Sequence, residues 1–148
     1  MPVGYPPNAR FRKTTLDLRT CLIVDDSRII RKVARRIVEG LGFEVDEAAD
    51  GAEALAYCAG MMPDAVLLDW SMPVMDGLQA TREIRRMQSG TGRRTPILAL
   101  TANVQSEQVV RCLEAGMDGH LAKPIQIAEL AAALTRWLSC DQPPAMAV

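Results

Sequence analysis

Short runs of apolar residues alternate along the chain with longer segments in which apolar positions recur every three or four residues. The runs predict five β-strands, and each is followed by a segment that predicts a helix. Strands that alternate with helices over short connections are typical of an α/β fold, a parallel sheet with helices on both faces. The predicted strands cover residues 21–24, 44–48, 65–68, 97–100 and 119–122.

The predicted helices each carry apolar residues at helical spacing. In the first, Ile30, Val33, Ile37 and Leu41 fall on one face, which we expect to be buried, and Gly42 ends the helix. The other helices are predicted over 52–61, around Leu78, Thr81, Ile84 and Met87, around Val109 and Leu113 up to Gly116, and around Ile127, Leu130, Leu134, Trp137 and Leu138.

The chain has 148 residues, enough for one domain and too few for two. We expect residues 20–139 to form that domain. Residues 1–19, rich in proline and basic residues, are predicted to be a flexible tail, and residues 140–148 a short C-terminal tail. Because so few residues follow the fifth predicted helix, we expect no DNA-binding or enzymatic output domain.

Charge and cysteine content exclude several classes of protein. The 17 basic and 18 acidic residues give a net charge of −1, which offers no electrostatic reason to bind DNA or a membrane surface. Four scattered cysteines and one histidine do not suggest a zinc site or a disulfide framework. No apolar run is long enough to span a membrane or to serve as a signal sequence, so we expect a soluble cytoplasmic protein.

Polar residues stand where four of the predicted strands end. Asp25 and Asp26 follow the first strand, Asp69 the third, Thr101 the fourth and Lys123 the fifth. The carboxyl ends of parallel strands share one edge of the sheet, where ligands bind. Two like charges about 4 Å apart repel by roughly 1 kcal/mol in water and about 4 kcal/mol at an effective dielectric of 20. We therefore expect the aspartates to require a hard divalent cation, and Mg²⁺ suits such an oxygen-only site.

A carboxylate beside Mg²⁺, a lysine and a hydroxyl group suits phosphoryl transfer, with aspartate as the nucleophile that forms an acyl phosphate. Taken singly, each feature has a simpler interpretation. An Asp-Asp pair after a strand often forms a turn or caps a helix, and Thr101 could cap the fourth helix. Their joint placement at the ends of four strands favours one functional site.

These segments resemble the receiver domain of two-component response regulators. The matching motifs are LIVDDSR (22–28), LLDWSMPVMDG (67–77), ILALTAN (97–103) and GHLAKPI (119–125). The resemblance spans about residues 20–139 and implies the flavodoxin-like strand order 2-1-3-4-5.

The resemblance also implies roles for the residues at the strand ends. Asp69 corresponds to the phosphoacceptor. Asp26 and Asp69 would bind Mg²⁺ directly, Asp25 would act through water, and the backbone carbonyl of Ser71 would complete the protein ligands. Lys123 would pair with the phosphoryl group, following the family pattern of a cis bond to Pro124.

The signalling residues include one departure from the family pattern. Thr101 corresponds to the switch hydroxyl, and His120 stands where the family commonly has a switch tyrosine or phenylalanine. His120 is therefore either a variant of that switch or a solvated surface residue. Ser71 and Asn103 occupy positions thought to set the rate of dephosphorylation.

By this resemblance the chain is a single-domain phosphorylation switch rather than an enzyme acting on a small substrate. It would accept phosphate from a histidine kinase or a histidine phosphotransfer domain. It would then present a changed surface, formed by the fourth helix, fifth strand and fifth helix, to a protein partner in motility signalling or a phosphorelay. A monomer or weak dimer is expected.

Two alternatives from other classes stay open. An aspartyl-phosphate phosphatase or phosphotransferase could use the same sheet, but its usual second aspartate is replaced here by Ser71 and no cap insertion is evident. A nucleotide second-messenger module could use Arg93 and Arg94 or the basic N-terminal tail, although no glycine-rich phosphate loop follows a strand.

Overall fold

The computed structural model describes residues 19–138, with the exception of residues 71, 73, 74, 93 and 103–105 and of the side chain of Ser106. Apart from Arg19, the two predicted tails lie outside the described residues, as do Ser71, Arg93, Asn103 and Cys140. None of the helices in the described part of the chain has the length and apolar character needed to cross a membrane.

One parallel sheet of five strands forms the centre of the fold, with strand order β2-β1-β3-β4-β5. The α/β class and the strand order predicted from the sequence are both confirmed. The strands are β1 (Thr20–Val24), β2 (Glu44–Ala48), β3 (Ala65–Asp69), β4 (Ile97–Thr101) and β5 (Gly119–Ala122). The helices are α1 (Arg28–Gly40), α2 (Gly51–Gly60), α3 (Gly77–Gln88), α4 (Ser106–Ala115) and α5 (Ile127–Leu138).

Polar side chains fix the starts of the first three helices. Ser27, Asp50 and Asp76 stand just before α1, α2 and α3, and the side chain of each accepts a hydrogen bond from a backbone amide in the first turn. These contacts satisfy amide groups that have no partner within the helix. After α1 and α4, Gly42 and Gly116 adopt φ of +100° and +108°, which a glycine tolerates without strain. The predicted helix stops at both glycines are confirmed.

Alternate residues of the strands feed two apolar cores, one on each face of the sheet. In β1, Leu22 and Val24 belong to one core, and Cys21 and Ile23 belong to the other. The first core lies under α2, α3 and α4, and the second under α1 and α5. β1, β3 and β4 lie inside the sheet and are covered by helices on both faces. Their sequences are therefore nearly continuous runs of apolar residues.

The predicted faces of α3 and α5 are largely confirmed, since Leu78, Thr81 and Ile84 in α3 and Leu130 and Leu134 in α5 are buried, whereas α1 and α4 bury other residues than predicted. In α1 the buried residues are Ala34 and Val38, whereas Val33 is 46% exposed. In α4 it is Cys112 that is buried, and Leu113 is 56% exposed. The face against the sheet is therefore centred on small residues, which allow a helix to approach closely, and the large aliphatic residues lie beside it. The other predicted core positions that are exposed are Leu41, Met87 and Ile127.

A buried arginine holds together the edge of the sheet at which the strands begin. Arg85, near the end of α3, donates to the backbone oxygens of Thr95 at 2.7 Å and Gly116 at 2.9 Å. It also forms a 2.8 Å ion pair with Asp118, just before β5. The same carboxylate pairs with Arg94 and accepts a hydrogen bond from the amide of Ile97. These contacts join the end of α3, the start of β4 and the end of α4.

The loop after α3 is tied to this cluster. The hydroxyl of Thr91 donates to the backbone oxygen of Gln88 at 2.7 Å, and Arg94 binds Asp118. On either side of Thr91, Gly90 and Gly92 adopt φ of +81° and +76° and are exposed.

Arg85 should therefore contribute far more to stability than its neighbour Arg86. The side chains of Arg85 and Asp118 are 15% and 6% exposed, whereas Arg86 is 72% exposed and pairs with Glu83 on the surface. We expect Arg85→Ala to lower the free energy of unfolding by about 1–3 kcal/mol, since it removes the donor to Thr95 and one of the two cationic partners of Asp118. Arg86→Ala should change it by about 0.5 kcal/mol or less. Urea unfolding of both variants tests this, and similar losses in the two would contradict the assignment.

Candidate functional site

The carboxyl edge of the sheet brings together the polar residues singled out in the sequence. Asp25 follows β1 directly, Asp69 is the last residue of β3, and Lys123 follows β5. β1 pairs with β3, and β4 lies between β3 and β5, so these side chains converge by topology alone. The expected neighbourhood of the first and third strands is confirmed.

Three carboxylates form the centre of this cluster. One oxygen from each of Asp25, Asp26 and Asp69 lies within 4.8 Å of the other two. Asp25 and Asp69 are buried, whereas Asp26 is exposed. A buried carboxylate is costly unless it is paired or coordinates a metal. The cluster therefore requires positive charge.

Lys123 supplies one positive charge to the buried pair. Its Nζ lies 2.9 Å from Oδ2 of Asp25 and 3.0 Å from Oδ1 of Asp69. Burial by itself would lower the pKa of Lys123, but the contacts with the two carboxylates outweigh it and raise that pKa above its ordinary value. The backbone amide of Lys123 donates to Thr101 at 2.8 Å, and the bond to Pro124 is cis, as the resemblance implied.

Asp25 retains acceptor capacity after these contacts are made. Its Oδ1 accepts a 2.8 Å hydrogen bond from the amide of Ser27, at the start of α1. Its Oδ2 lies within ion-pair distance of Lys123, yet it receives no well-aligned hydrogen bond from the residues that the structure describes. A fully buried carboxylate oxygen in this condition has room for a further cationic partner.

The donor set fits a hard divalent cation. The ligand atoms are carboxylate oxygens, and neither histidine nor cysteine belongs to the group. A single ammonium does not balance three carboxylates, and oxygen ligands of this kind suit Mg²⁺ better than softer metals. The residues present are thus consistent with the Mg²⁺ site expected from the sequence.

The backbone beside Asp69 is packed too closely for any side chain at position 77. The amide of Gly77 donates to the backbone oxygen of Trp70 at 3.1 Å. A Cβ atom on Gly77 would lie 2.5 Å from the backbone oxygen of Asp69 and 3.2 Å from Cα of Trp70. Gly77 was not predicted to have a role, although it directly follows the capping residue Asp76 in the motif LLDWSMPVMDG.

Thr101 and His120 take up different environments. Thr101 is the last residue of β4 and is buried, and its hydroxyl donates to Oε1 of Gln108 at 3.5 Å. Since α4 begins only at Ser106, the alternative in which Thr101 caps that helix is wrong. His120 lies on β5 with its side chain exposed, outside the acidic cluster.

Trp70 makes a contact that the sequence did not reveal. It directly follows Asp69, its amide donates to Leu100 of β4, and its partly buried side chain packs on the core under α2, α3 and α4. The guanidinium of Arg111, on α4, lies 5.8 Å from the centre of the indole ring. A cation at this distance from an indole face is attracted by the ring.

Comparison with known proteins gives a consistent result. The family model "Response regulator receiver domain" matches residues 21–135. The response regulator MprA of Mycobacterium sp. (strain KMS) is 44% identical over 126 residues, which cover 83% of this chain and 53% of that protein. The chain thus spans about half the length of the curated relatives it matches.

Three solved structures illustrate the structural likeness. The chemotaxis protein CheY4 of Vibrio cholerae has a TM-score of 0.76 at 35% identity, covering 82% of this chain and 99% of that one. The receiver domain of the sensor histidine kinase PA1611 of Pseudomonas aeruginosa PAO1, with a magnesium ion in its active site cleft, gives 0.74 at 41%, covering 82% and 98%. The receiver domain of the histidine kinase CKI1 of Arabidopsis thaliana, complexed with Mg²⁺ and BeF₃⁻, gives 0.74 at 34%, covering 82% and 90%.

Substitution of Gly77 should displace the backbone that carries Asp69. Gly77→Ala forces the new methyl group against the backbone oxygen of Asp69, and overpacking of this kind costs about 1–3 kcal/mol of stability. Gly60→Ala is the matched control, because nothing lies within 4 Å of its Cβ position at the end of α2. The control should be neutral or stabilising by up to about 1 kcal/mol. Thermal unfolding distinguishes them, and equal stabilities would contradict the close approach.

Removal of one carboxylate should stabilise the metal-free protein. Asp26→Asn relieves repulsion with Asp25 and Asp69, so we expect its melting temperature in EDTA to exceed that of the unsubstituted protein. Glu44→Gln, which neutralises an exposed acid on β2, is the control and should change little. Added Mg²⁺ should raise the melting temperature of the unsubstituted protein more than that of Asp26→Asn. A metal-free Asp26→Asn that melts lower would count against repulsion in the cluster.

Proposed function

The chain belongs to the response regulator receiver domain family, and from this premise we propose that it is a phosphorylation switch that accepts a phosphoryl group on Asp69. A receiver domain is a signalling domain of a two-component system rather than an enzyme that turns over a small substrate. The observation that carries the proposal is the convergence of Asp25, Asp26 and Asp69, with Lys123 joining the two buried carboxylates. We assign the receiver domain to residues 20–139.

Asp69 is the nucleophile in this proposal. It ends a fully buried strand between two neighbours, so its carboxylate has a fixed position at the edge of the sheet. Its oxygen forms a bond to the phosphorus of a phosphohistidine donor, while the bond from phosphorus to the imidazole nitrogen breaks and leaves its electron pair on that nitrogen. The product is an aspartyl phosphate.

Asp26 and Asp69 would bind Mg²⁺ directly, Asp25 would act through water, and the backbone carbonyl of Ser71, which lies outside the described residues, would complete the protein ligands. The available Oδ2 of Asp25 supports this assignment, as do the Mg²⁺ ions in the similar PA1611 and CKI1 receiver structures. When bound, the metal supplies positive charge that offsets the charge on the phosphoryl oxygens.

Lys123 provides a second cation at the same place. The contacts that raise its pKa keep the ammonium charged at neutral pH, before and during transfer. Because it already lies 3.0 Å from Oδ1 of Asp69, its Nζ can donate to a phosphoryl oxygen attached there with little displacement.

Thr101 and His120 would carry the signal outward. A phosphoryl group on Asp69 adds strong acceptor oxygens near the hydroxyl of Thr101, in the adjacent strand. Movement of Thr101 toward the phosphoryl group would open space beside β4, into which the exposed His120 could turn. Imidazole is smaller and more polar than phenol, so its burial stabilises the switched state less than a tyrosine would. The surface formed by α4, β5 and α5 would present the change to a protein partner.

Receiver domains interact with histidine kinases and downstream proteins, and we propose a histidine kinase or histidine phosphotransfer domain as the donor here. The output is either control of a motility protein or transfer along a phosphorelay. Likeness to a chemotaxis protein supports the first route, and likeness to the receiver of a sensor kinase supports the second.

The two alternative functions are less well supported. Of the two arginines considered for nucleotide binding, Arg94 is already paired with Asp118. Family membership favours signalling over the phosphatase alternative.

Asp69 should be the phosphorylated residue, and the reaction should require Mg²⁺. After incubation with a small acyl phosphate, intact mass should increase by one phosphoryl group, and neither EDTA-treated protein nor Asp69→Asn should show this increase. Asp76→Asn is the matched control: Asp76 follows the same strand but caps α3 outside the cluster, so this variant should still be phosphorylated. A stable phosphoryl adduct on Asp69→Asn would show that another residue is the acceptor.

A further inference from the structure

We propose that Gln108 of α4 is a positioning residue that competes with the phosphoryl group for the hydroxyl of Thr101. This inference rests on the proposed function of Asp69 as phosphoacceptor. Gln108 would hold Thr101 in the orientation that it has in the unphosphorylated protein. Loss of this hydrogen bond on phosphorylation would change the contacts of α4.

The first observation is the contact itself. Oγ1 of the buried Thr101 donates to Oε1 of the half-buried Gln108 at 3.5 Å. A threonine hydroxyl carries a single proton, so it donates strongly to one acceptor at a time. The contact is long compared with the 2.7–2.8 Å common for hydroxyl donors and is therefore weak. A charged phosphoryl oxygen forms a stronger hydrogen bond and would displace the amide.

The second observation is independent and places the same face of α4 over the site. Arg111 lies one turn after Gln108, on the same side of the helix, and contacts Trp70. Trp70 follows Asp69 at the end of β3, and Thr101 ends β4. One face of α4 thus contacts a residue beside the acidic cluster on each of two adjacent strands.

The opposite end of α4 is held by contacts that do not involve the site. Gly116, directly after the helix, accepts a hydrogen bond from Arg85 at 2.9 Å, and its own amide donates to Leu113. A change at the acidic cluster therefore reaches α4 through its first turns, at Gln108 and Arg111.

Competition predicts the sign of the effect of substitution. Gln108→Ala removes an acceptor that stabilises only the unswitched orientation of Thr101, so a phosphoryl mimic on Asp69 should bind more tightly. The expected gain is on the order of threefold, as for the loss of one weak neutral hydrogen bond. Because Gln108 acts through the hydroxyl, the gain should vanish when Thr101→Ala is already present.

The test is a titration with beryllofluoride in the presence of Mg²⁺, followed by tryptophan fluorescence. The chain contains two tryptophans, so a Trp137→Phe background leaves Trp70, beside Asp69, as the reporter. Four proteins are compared in that background: the parent, Gln108→Ala, Thr101→Ala and the double variant. Gln79→Ala, the same substitution at an exposed position of α3, is the matched control and should bind like the parent. Thermal unfolding checks that each variant is folded.

Tighter binding by Gln108→Ala alone, lost in the Thr101→Ala background, supports the inference. Parental affinity in Gln108→Ala overturns it, and so does an equal gain in the Thr101→Ala background, which would mean that Gln108 acts by another route. A parent protein that fails to bind beryllofluoride would instead overturn the proposed function of Asp69.

Discussion

The ion pairs between Lys123 and the two buried carboxylates are the interaction on which the site depends. Asp25 follows and Asp69 ends a strand whose preceding four residues are apolar and buried, and charge in such a place is unstable without a partner. Lys123 reaches both because β5 ends at the same edge of the parallel sheet. The exposed Asp26 then adds a carboxylate that the ammonium does not balance. The cluster in the folded chain therefore keeps negative charge that Lys123 alone does not balance.

The two edges of the sheet carry different kinds of charged contact. At the carboxyl edge, charges of the same sign are gathered at a cost in stability, as is common where a protein performs chemistry. At the opposite edge, Arg85 and Asp118 form ion pairs and hydrogen bonds that join α3, β4 and the end of α4. Each helix between them runs from one edge to the other, so stabilising and reactive contacts lie at different ends of the same elements.

Much of the fold and the composition of the site could be predicted from the sequence, because both follow from the order of elements. Once strands alternate with helices, the residues after each strand must meet, whatever the details of packing. The buried faces of α1 and α4, unlike those of α3 and α5, could not be predicted in this way. Val33 and Leu113 share the apolar character of core residues, yet Ala34 and Cys112 are the ones that face inward, and this depends on how closely each helix lies on the sheet. The contacts of Trp70 with Arg111 and of Thr101 with Gln108 join separate elements and depend on the same placement.

The exposed glycines of the loop after α3 offer positions for protein engineering. Gly90 and Gly92 are exposed, meet no atom within 4 Å at their Cβ positions, and lie at the edge of the sheet away from Asp69. Exposed loop tips of small residues are the positions that best tolerate insertion. A fluorescent protein or an affinity tag inserted there would be carried on the rigid end of the domain. The proposed phosphoryl donor would not meet it when it approaches the acidic cluster.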